Sequence, residues 1–316
     1  RLQSLLMRVL VTGGDGFVGQ NAVSALTKAG HSVLIAGRRA ERKSSGYKVD
    51  LLNQAERTTL VKQANADALV HFAWETHPAN FWNDPVNVDW ALASYDLVQR
   101  FLDAGGTRAI LAGSCAEYDW SAAERRLVEN APCQPTTVYG SCKLNLCRQC
   151  EQLISEGASI AWGRLFFLLG PREHPARFVP SIVRPLLDGR AAYMTQGSQI
   201  RDFLHVADAG RAFAALVDSS LDGVVNIASG VGVSLENLAK AAYTRIGRGE
   251  LQLGALPTRP EDPPKLVADV RRLRNEVGFA RSYDWRSALN TCVEYWRGAP
   301  QKHSEHSPLG NNPSYP

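Results

Sequence analysis

The strongest constraint on the fold is a glycine-spaced turn caught between a strand-like run and a helix-like run. The apolar run RVLVT (Arg8–Thr12) leads straight into TGGDGFVG, and an amphipathic window from Phe17 to Ala29 follows. Gly14-x-Gly16-x-x-Gly19 is overlapped by Gly13-x-x-Gly16-x-x-Gly19. Glycines at this spacing let the turn tighten, let main-chain N–H groups approach a pyrophosphate, and let the helix close onto the strand. A second strand-like run, SVLIAG (Ser32–Gly37), completes the βαβ context that gives the pattern its meaning. The turn therefore reads as a dinucleotide site.

The rhythm continues. ALVHFA (Ala68–Ala73) and AILAGS, ending at Ser114, are short apolar runs of the kind found in strands buried on both faces. Helical windows lie between and after them at Glu56–Ala64, Val88–Ala104 and Ser141–Glu156, and a further strand is expected in ASIAWGRLFFL. Alternation of this kind predicts an α/β protein with a Rossmann-type doubly wound parallel sheet. Beyond it the pattern breaks into the Pro-rich loops GPREHPARFVP and LPTRPEDPPK, which suits a smaller C-terminal α/β lobe over the sheet's carboxyl edge. The expected division is 7–167 for the dinucleotide-binding domain, with 204–230 returning to it. Residues 168–203 and 231–298 form the substrate lobe, and 299–316, polar and rich in Pro and Asn, form a disordered tail.

Composition narrows the function classes. The chain has 316 residues and a net charge of +4, without a long basic run, so nucleic acid is not an expected partner. No apolar stretch approaches the roughly 20 residues that span a bilayer. RLQSLL ahead of Met7 lacks the long apolar stretch of a signal peptide and reads as leader sequence. The six cysteines read as reduced thiols of a cytoplasmic protein. Cys147 and Cys150 have no second ligand pair nearby, so no metal site is expected.

The end of the second strand bears on the choice of dinucleotide. A carboxylate there binds the ribose 2′-hydroxyl of NAD, whereas arginine suits the 2′-phosphate of NADP. Here Gly37 stands at that place and Arg38 and Arg39 follow, which favours NADP(H), with NAD(H) as the alternative. Asp50, after the short run YKVD, is a candidate adenine contact or a helix cap.

Proton-transfer chemistry is suggested by TVYGSCK. Tyr139 and Lys143 are i and i+4 on one helix face. Ser114 ends a strand at the sheet edge where ligands bind. A hydroxyl, a phenol and an ammonium beside a nicotinamide make a working ketone/alcohol site. Lys143 is expected to lower the Tyr139 pKa, Tyr139 to pass the proton and Ser114 to bind the carbonyl oxygen.

TGGDGFVG, GSCAEY, YGSCK, GPREHP and RDFLHVAD, in this order, make the sequence resemble the extended short-chain dehydrogenases/reductases of the NAD-dependent epimerase/dehydratase family, from about Met7 to Trp296. The resemblance implies action on a nucleotide-diphosphate sugar and a Ser114–Tyr139–Lys143 triad. It implies cofactor contacts from Gly13, Gly16, Phe17, Val18, Gly19, Arg38, Arg39, Asp50, Leu51, Phe72, Ala73, Tyr139 and Lys143. It implies substrate contacts from Trp74, Thr76, Cys115, Ala116, Phe167, Arg177, Arg201 and Arg259. Sugar 4,6-dehydratases carry an acidic pair after the catalytic hydroxyl. Here Cys115 and Ala116 stand there, with Glu117 one place on, which disfavours elimination. A reductase of a 4-keto sugar, or of another ketone, is the leading expectation, and an epimerase with tightly bound NAD(P) is the alternative. Phe167 replaces the Asn that often contacts the substrate diphosphate in the family. The aromatic loop AWETHPANFW could shape a pocket for a flatter ketone, and His71 just before it and His77 within it read as structural. The resemblance further implies a homodimer through Val88–Ala104 and Ser141–Glu156. A nucleotide-sensing regulator on the same fold is the non-enzyme alternative, disfavoured because the triad is intact.

Overall fold

The computed structural model describes residues 6–38, 46–78, 81–122, 126–259 and 262–299. Arg39 and residues 300–316 of the tail lie outside the described residues.

The first layer runs β1 (Arg8–Thr12), α1 (Gly19–Lys28), β2 (Ser32–Gly37), β3 (Gly46–Lys48), α2 (Gln54–Ala64), β4 (Ala68–His71), α3 (Val86–Asp103), β5 (Arg108–Ser114), α4 (Val138–Ser155) and β6 (Ile160–Leu165). The chain then continues through β7 (Phe167–Leu169), α5 (Phe178–Leu187), β8 (Ala191–Tyr193), β9 (Ile200–His205), α6 (Val206–Val217), β10 (Gly223–Ile227), β11 (Gly232–Ser234) and α7 (Leu235–Ile246). It ends with β12 (Glu250–Gln252), β13 (Lys265–Leu266), α8 (Arg271–Asn275) and α9 (Trp285–Gly298).

Seven strands form a parallel sheet in the order β10-β6-β5-β4-β1-β2-β3. Strand order reverses between β1 and β4, and the crevice outside the carboxyl ends at that point is where such sheets take ligands. The period-2 geometry of β1 sends Val9 and Val11 to one face and Leu10 to the other. On the first face they meet Ala22 and Leu26 of α1 and Ala209 and Phe213 of α6. On the second, Leu10 joins Leu60 of α2, Leu97 and Phe101 of α3 and Leu146 of α4. Both faces are therefore covered, and strand runs without alternation are the consequence.

A smaller sheet, β11-β9-β13 with β7 beside β9, sits over a separate apolar cluster formed with α5, α7 and α9. The expected strand ASIAWGRLFFL is divided: β6 stays in the large sheet, and β7 pairs with β9 in the small one. Both partners offer apolar surroundings, so hydrophobic pattern alone does not mark the change at Phe166. Part of the expected Pro-rich loop is helix, since α5 starts at Phe178 with Pro180 in its first turn, where a missing N–H costs nothing.

Candidate active site

The carboxyl edge of the large sheet opens into a pocket of about 920 Å³. One end is made of main chain. Gly13 has φ +68°, and a Cβ there would lie 2.8 Å from the Ala73 nitrogen. A Cβ on Gly19 would lie 2.1 Å from the Gly13 carbonyl oxygen, so only glycine lets α1 start this close to β1. No side chain caps α1; Gln20 and Asn21 of its first turn donate to the Gly16 and Val18 carbonyls, and the start of the helix at Gly19 faces a glycine-walled cradle suited to an anion. Gly13, Gly16, Phe17, Val18 and Gly19 line this end, and the residues fit a dinucleotide pyrophosphate. Leu51, Phe72 and Ala73 continue the wall.

Gly37 and Arg38 also border the pocket. The Arg38 guanidinium reaches Glu75 at 3.3 Å, with side-chain exposures of 65 % and 35 %. An exposed pair of this kind is worth ~1 kcal/mol or less, so Arg38 can release Glu75 cheaply. Asp50 departs from expectation. It is exposed, its carboxylate accepts from the Leu52 nitrogen at 3.0 Å within a turn, and it does not line the pocket. The cap of α2 is Asn53 instead.

Ser114, Tyr139 and Lys143 line the same pocket. Thr137 caps α4 by accepting from the Gly140 nitrogen at 3.0 Å, so the helix begins at Val138, three residues earlier than the sequence pattern suggests. Two more first-turn N–H groups are taken by the aromatic loop: Tyr139 donates to the Trp82 carbonyl at 2.9 Å and Val138 to the Asn83 side chain at 3.2 Å. This pins the loop against Tyr139, whose ring meets Trp74, Phe81 and Trp82 edge to face. Trp74 is held in turn by Asn87, which accepts from its indole N–H at 2.7 Å and donates to the Phe81 carbonyl at 2.6 Å.

Ser114 acts to lower the Tyr139 pKa, yet burial dominates and raises it above the ordinary 10. The direct lowering by Lys143 that the spacing suggests is therefore not the leading effect. Lys143 donates to the Ala112 carbonyl at 2.9 Å and lies 3.6 Å above the Trp74 ring. Burial brings its pKa down to about 7. The buried site holds a phenol beside an amine poised near neutrality, rather than a tyrosinate beside a fixed ammonium.

Ser114 is positioned by a group that motif reading passed over. Glu117 accepts from the Ser114 nitrogen at 2.7 Å, from the Trp162 indole at 3.0 Å and from Arg164 at 2.6 Å, in full burial. The S-x-x-E spacing of Ser114 and Glu117 is a capping box and was a legible signal for it. A Cβ on Gly113 would lie 2.1 Å from the Trp162 indole nitrogen, so the glycine is what lets this clamp close.

Of the expected substrate contacts, Trp74, Thr76, Cys115, Phe167, Arg177 and Arg201 line the pocket. Arg177 reaches the Thr76 carbonyl at 3.4 Å and lies over Phe81. Arg201 is 2 % exposed, forms an ion pair with Asp262 and donates to the Pro263 carbonyl at 2.8 Å. Ala116 and Arg259 are not brought to the pocket wall. Ala116 is buried behind the wall, where its carbonyl abuts Gly140, and Arg259 sits on an exposed segment outside the pocket lining. His71 bridges Thr12 at 2.6 Å and Ser94 at 2.8 Å, and burial takes its pKa down to about 3, so it is a neutral structural group. Glu173 and Trp296 also line the pocket without a sequence signal that singled them out.

A family model described as the NAD dependent epimerase/dehydratase family matches residues 9–228. The chain belongs to that family. Its fold is that of the extended short-chain dehydrogenases/reductases, which are enzymes. Among relatives, a UDP-glucuronic acid decarboxylase 1 of Xenopus tropicalis is 25 % identical over 310 residues, covering 92 % of this chain and 72 % of its own. A UDP-glucose 4-epimerase of Corynebacterium glutamicum is 25 % identical over 324 residues, covering 91 % of this chain and 94 % of its own. Among solved structures, MoeE5 in complex with UDP-glucose and NAD superposes with a TM-score of 0.78 at 27 % identity, covering 92 % of this chain and 98 % of its own. The UDP-glucose 4-epimerase of Thermotoga maritima shares the fold at a TM-score of 0.83 and 22 % identity, covering 92 % and 98 % of the two chains. No helix among the described residues is long and apolar enough to cross a membrane, and no metal-ligating cluster is present among them.

Proposed function

We propose that the protein is an NADP(H)-dependent oxidoreductase that reduces a ketone, foremost a 4-keto nucleotide-diphosphate sugar, through Ser114, Tyr139 and Lys143. The observation that carries this reading is the convergence of Ser114, a buried Tyr139 and a buried Lys143 in one pocket with the glycine cradle. When bound, the nicotinamide supplies or takes up a hydride. Tyr139, kept as a phenol by burial, holds the proton that a ketone oxygen needs as it gains charge. Ser114 donates a hydrogen bond to the same oxygen, and Lys143, poised near neutrality, can return a proton to Tyr139.

Gly37 in place of an acid, with Arg38 bordering the pocket, supports NADP(H). The locking of the Glu117 carboxylate by Arg164 and Trp162 speaks against elimination of water, which needs a free acid and base. A second reading, an epimerase holding NAD(P) through both half-reactions, is favoured by the relatives above, and NAD(H) is then the cofactor to expect. We place the protein in the cytoplasm as a homodimer through α3 and α4, supported by the exposed Val88 and Leu92 on α3.

The test is to denature the purified protein, identify any released nucleotide, and titrate fresh protein with NADPH and NADH. Empty protein that prefers NADPH and consumes it with 4-keto nucleotide sugars supports the reductase. One equivalent of retained NAD moves the assignment to the epimerase. Tyr139→Phe is expected to lower turnover by about 10²–10⁴-fold while leaving cofactor binding intact. Unchanged turnover would refute the triad.

A further inference from the structure

Beyond Tyr139 the pocket continues between the GPREHP segment, the start of α5 and the last turn of α9. Two polar groups here have no hydrogen-bond partner among the described residues. Glu173 is 4 % exposed, lines the pocket, and leaves its Oε2 unpartnered. Trp296 lines the same pocket with its indole Nε1 buried and without an acceptor. A buried polar atom left without a partner costs about 1–3 kcal/mol, and native proteins satisfy nearly all of them. Two in one cavity, one acceptor and one donor, is the pattern of a site made for a ligand.

The backbone is consistent with that purpose. Arg172 has φ +70°, a left-handed conformation unusual for a residue other than glycine. Its side chain donates to Gln20 at 2.7 Å on the cradle side of the pocket, while the next residue, Glu173, lines the far end.

The surroundings limit what can bind. Arg177 acts electrostatically on both Glu173 and Tyr139, so this end of the pocket borders the triad. The Arg184 guanidinium lies 5.0 Å from the centre of the Trp296 ring. Two arginines disfavour an ammonium group. An unpartnered carboxyl oxygen and an unpartnered indole N–H, one acceptor and one donor, match a group that itself donates and accepts, which is a hydroxyl.

We propose that Glu173 and Trp296 form a hydroxyl-recognition subsite: one substrate hydroxyl meets Glu173 Oε2, a neighbouring one accepts from Trp296 Nε1, and the ring is thereby held with its reacting carbon at Tyr139. The subsite rests on the nucleotide-sugar reading and deepens it, because it contacts the sugar and not the diphosphate.

The test compares UDP, dTDP and CDP with UDP-glucose, dTDP-glucose and CDP-glucose by calorimetry on the NADP(H)- or NAD(H)-loaded protein. The variants are Glu173→Leu, Glu173→Gln and Trp296→Phe, each with its melting temperature. The sugar-bearing probe should bind Glu173→Leu about 10–100-fold more weakly and Trp296→Phe up to about 10-fold more weakly, with the bare diphosphate within about 2-fold. Melting temperatures should stay level or rise, since an unpartnered carboxyl is removed. An unchanged sugar-to-diphosphate ratio overturns the subsite. So does a melting temperature that falls in Glu173→Gln, because the group would then be structural. Wild-type protein that takes up cofactor but none of the six probes sinks the nucleotide-sugar reading instead, and with it the hydroxyl assigned here.

Discussion

At the glycine turn the pocket wall is main chain. Gly13, Gly16 and Gly19 have no side chain to offer, and their geometry is set by close main-chain approaches, Gly19 to Gly13 within the turn and Gly13 to Ala73 at the end of β4. At the opposite end the wall is side chains brought from far apart: Glu173 from the segment after β7, Arg177 from the cap of α5, Trp296 from the last turn of α9. The first end has the shape that suits a pyrophosphate, a group common to many ligands. The second must select among ligands, and selection comes from individual groups left unpaired until the right partner arrives. The triad lies between, with its positions set by both.

The largest effect is expected where the two regions are clamped together. Glu117→Ala leaves Arg164 buried without its carboxylate and frees the Ser114 nitrogen. Breaking such a pair costs about 3–5 kcal/mol, so the melting midpoint should fall by roughly 10 °C, with turnover lost more steeply than cofactor affinity. A midpoint within about 2 °C of wild type would show that the clamp is not what holds β5 and the triad in place.

What was legible in the sequence follows the same division. Strand runs, the glycine turn and the Tyr139–Lys143 spacing are local patterns, so the sheet and the meeting of Ser114, Tyr139 and Lys143 with the glycine turn in one pocket could be read directly. Glu117 was half legible, through its capping box with Ser114. Asn87 gave a fainter sign as a polar residue on the buried stripe of α3 with Trp90, Ser94 and Leu97. Glu173, Trp296 and the division at Phe166 depend on which distant segments meet, and no local period encodes that. The error over the Tyr139 pKa has the same origin. Spacing placed Lys143 on the right face, but burial, set by Trp74, Phe81 and Trp82, outweighs it.

A smaller effect tests the main-chain end. Gly19→Ala would put a Cβ at 2.1 Å from the Gly13 oxygen, and α1 must shift away from β1. Overpacking of this kind costs about 1–3 kcal/mol. Affinity for NADPH and NADH should drop together, by more than about 10-fold if the cradle opens. Retained affinity in a folded variant would mean that the cradle tolerates a side chain and that the glycine pattern is packing alone.

Smaller again is the change at the edge of the cradle. Arg38→Ala removes a cation that is exposed and only loosely held by Glu75. If it meets a 2′-phosphate, NADPH should weaken by about 10-fold while NADH changes little, since a charge-assisted hydrogen bond is worth about 1.5–3 kcal/mol before solvent screening. Equal changes for both cofactors would move the assignment to NAD(H) and bring this chain into line with the NAD named in the MoeE5 complex.

A last measurement distinguishes the two ends by pH. Burial raises the Glu173 carboxyl from its ordinary 4.5 to about 8, with Arg177 pulling the other way and the neighbouring Cys292 thiol itself pushed up by burial. Between those two values the folded protein holds a proton that the unfolded chain has released. The stability contributed by Glu173 is therefore complete below about 4.5 and drains away as pH rises through about 8. Lys143 runs in the opposite sense over a different window. Its pKa falls from 10.5 to about 7, so its cost to the folded state is full below about 7 and is relieved as pH climbs toward 10.5. Glu173→Gln deletes the first slope and keeps the second. Its melting temperature, minus that of wild type, should accordingly grow between about pH 5 and pH 8, measured in one buffer series by differential scanning calorimetry. A difference that stays flat across that range would mean that Glu173 titrates in the folded protein as it does in water. The far end of the pocket would then be a wet wall like the exposed Arg38–Glu75 edge, and the contrast between the two ends would lose its energetic basis.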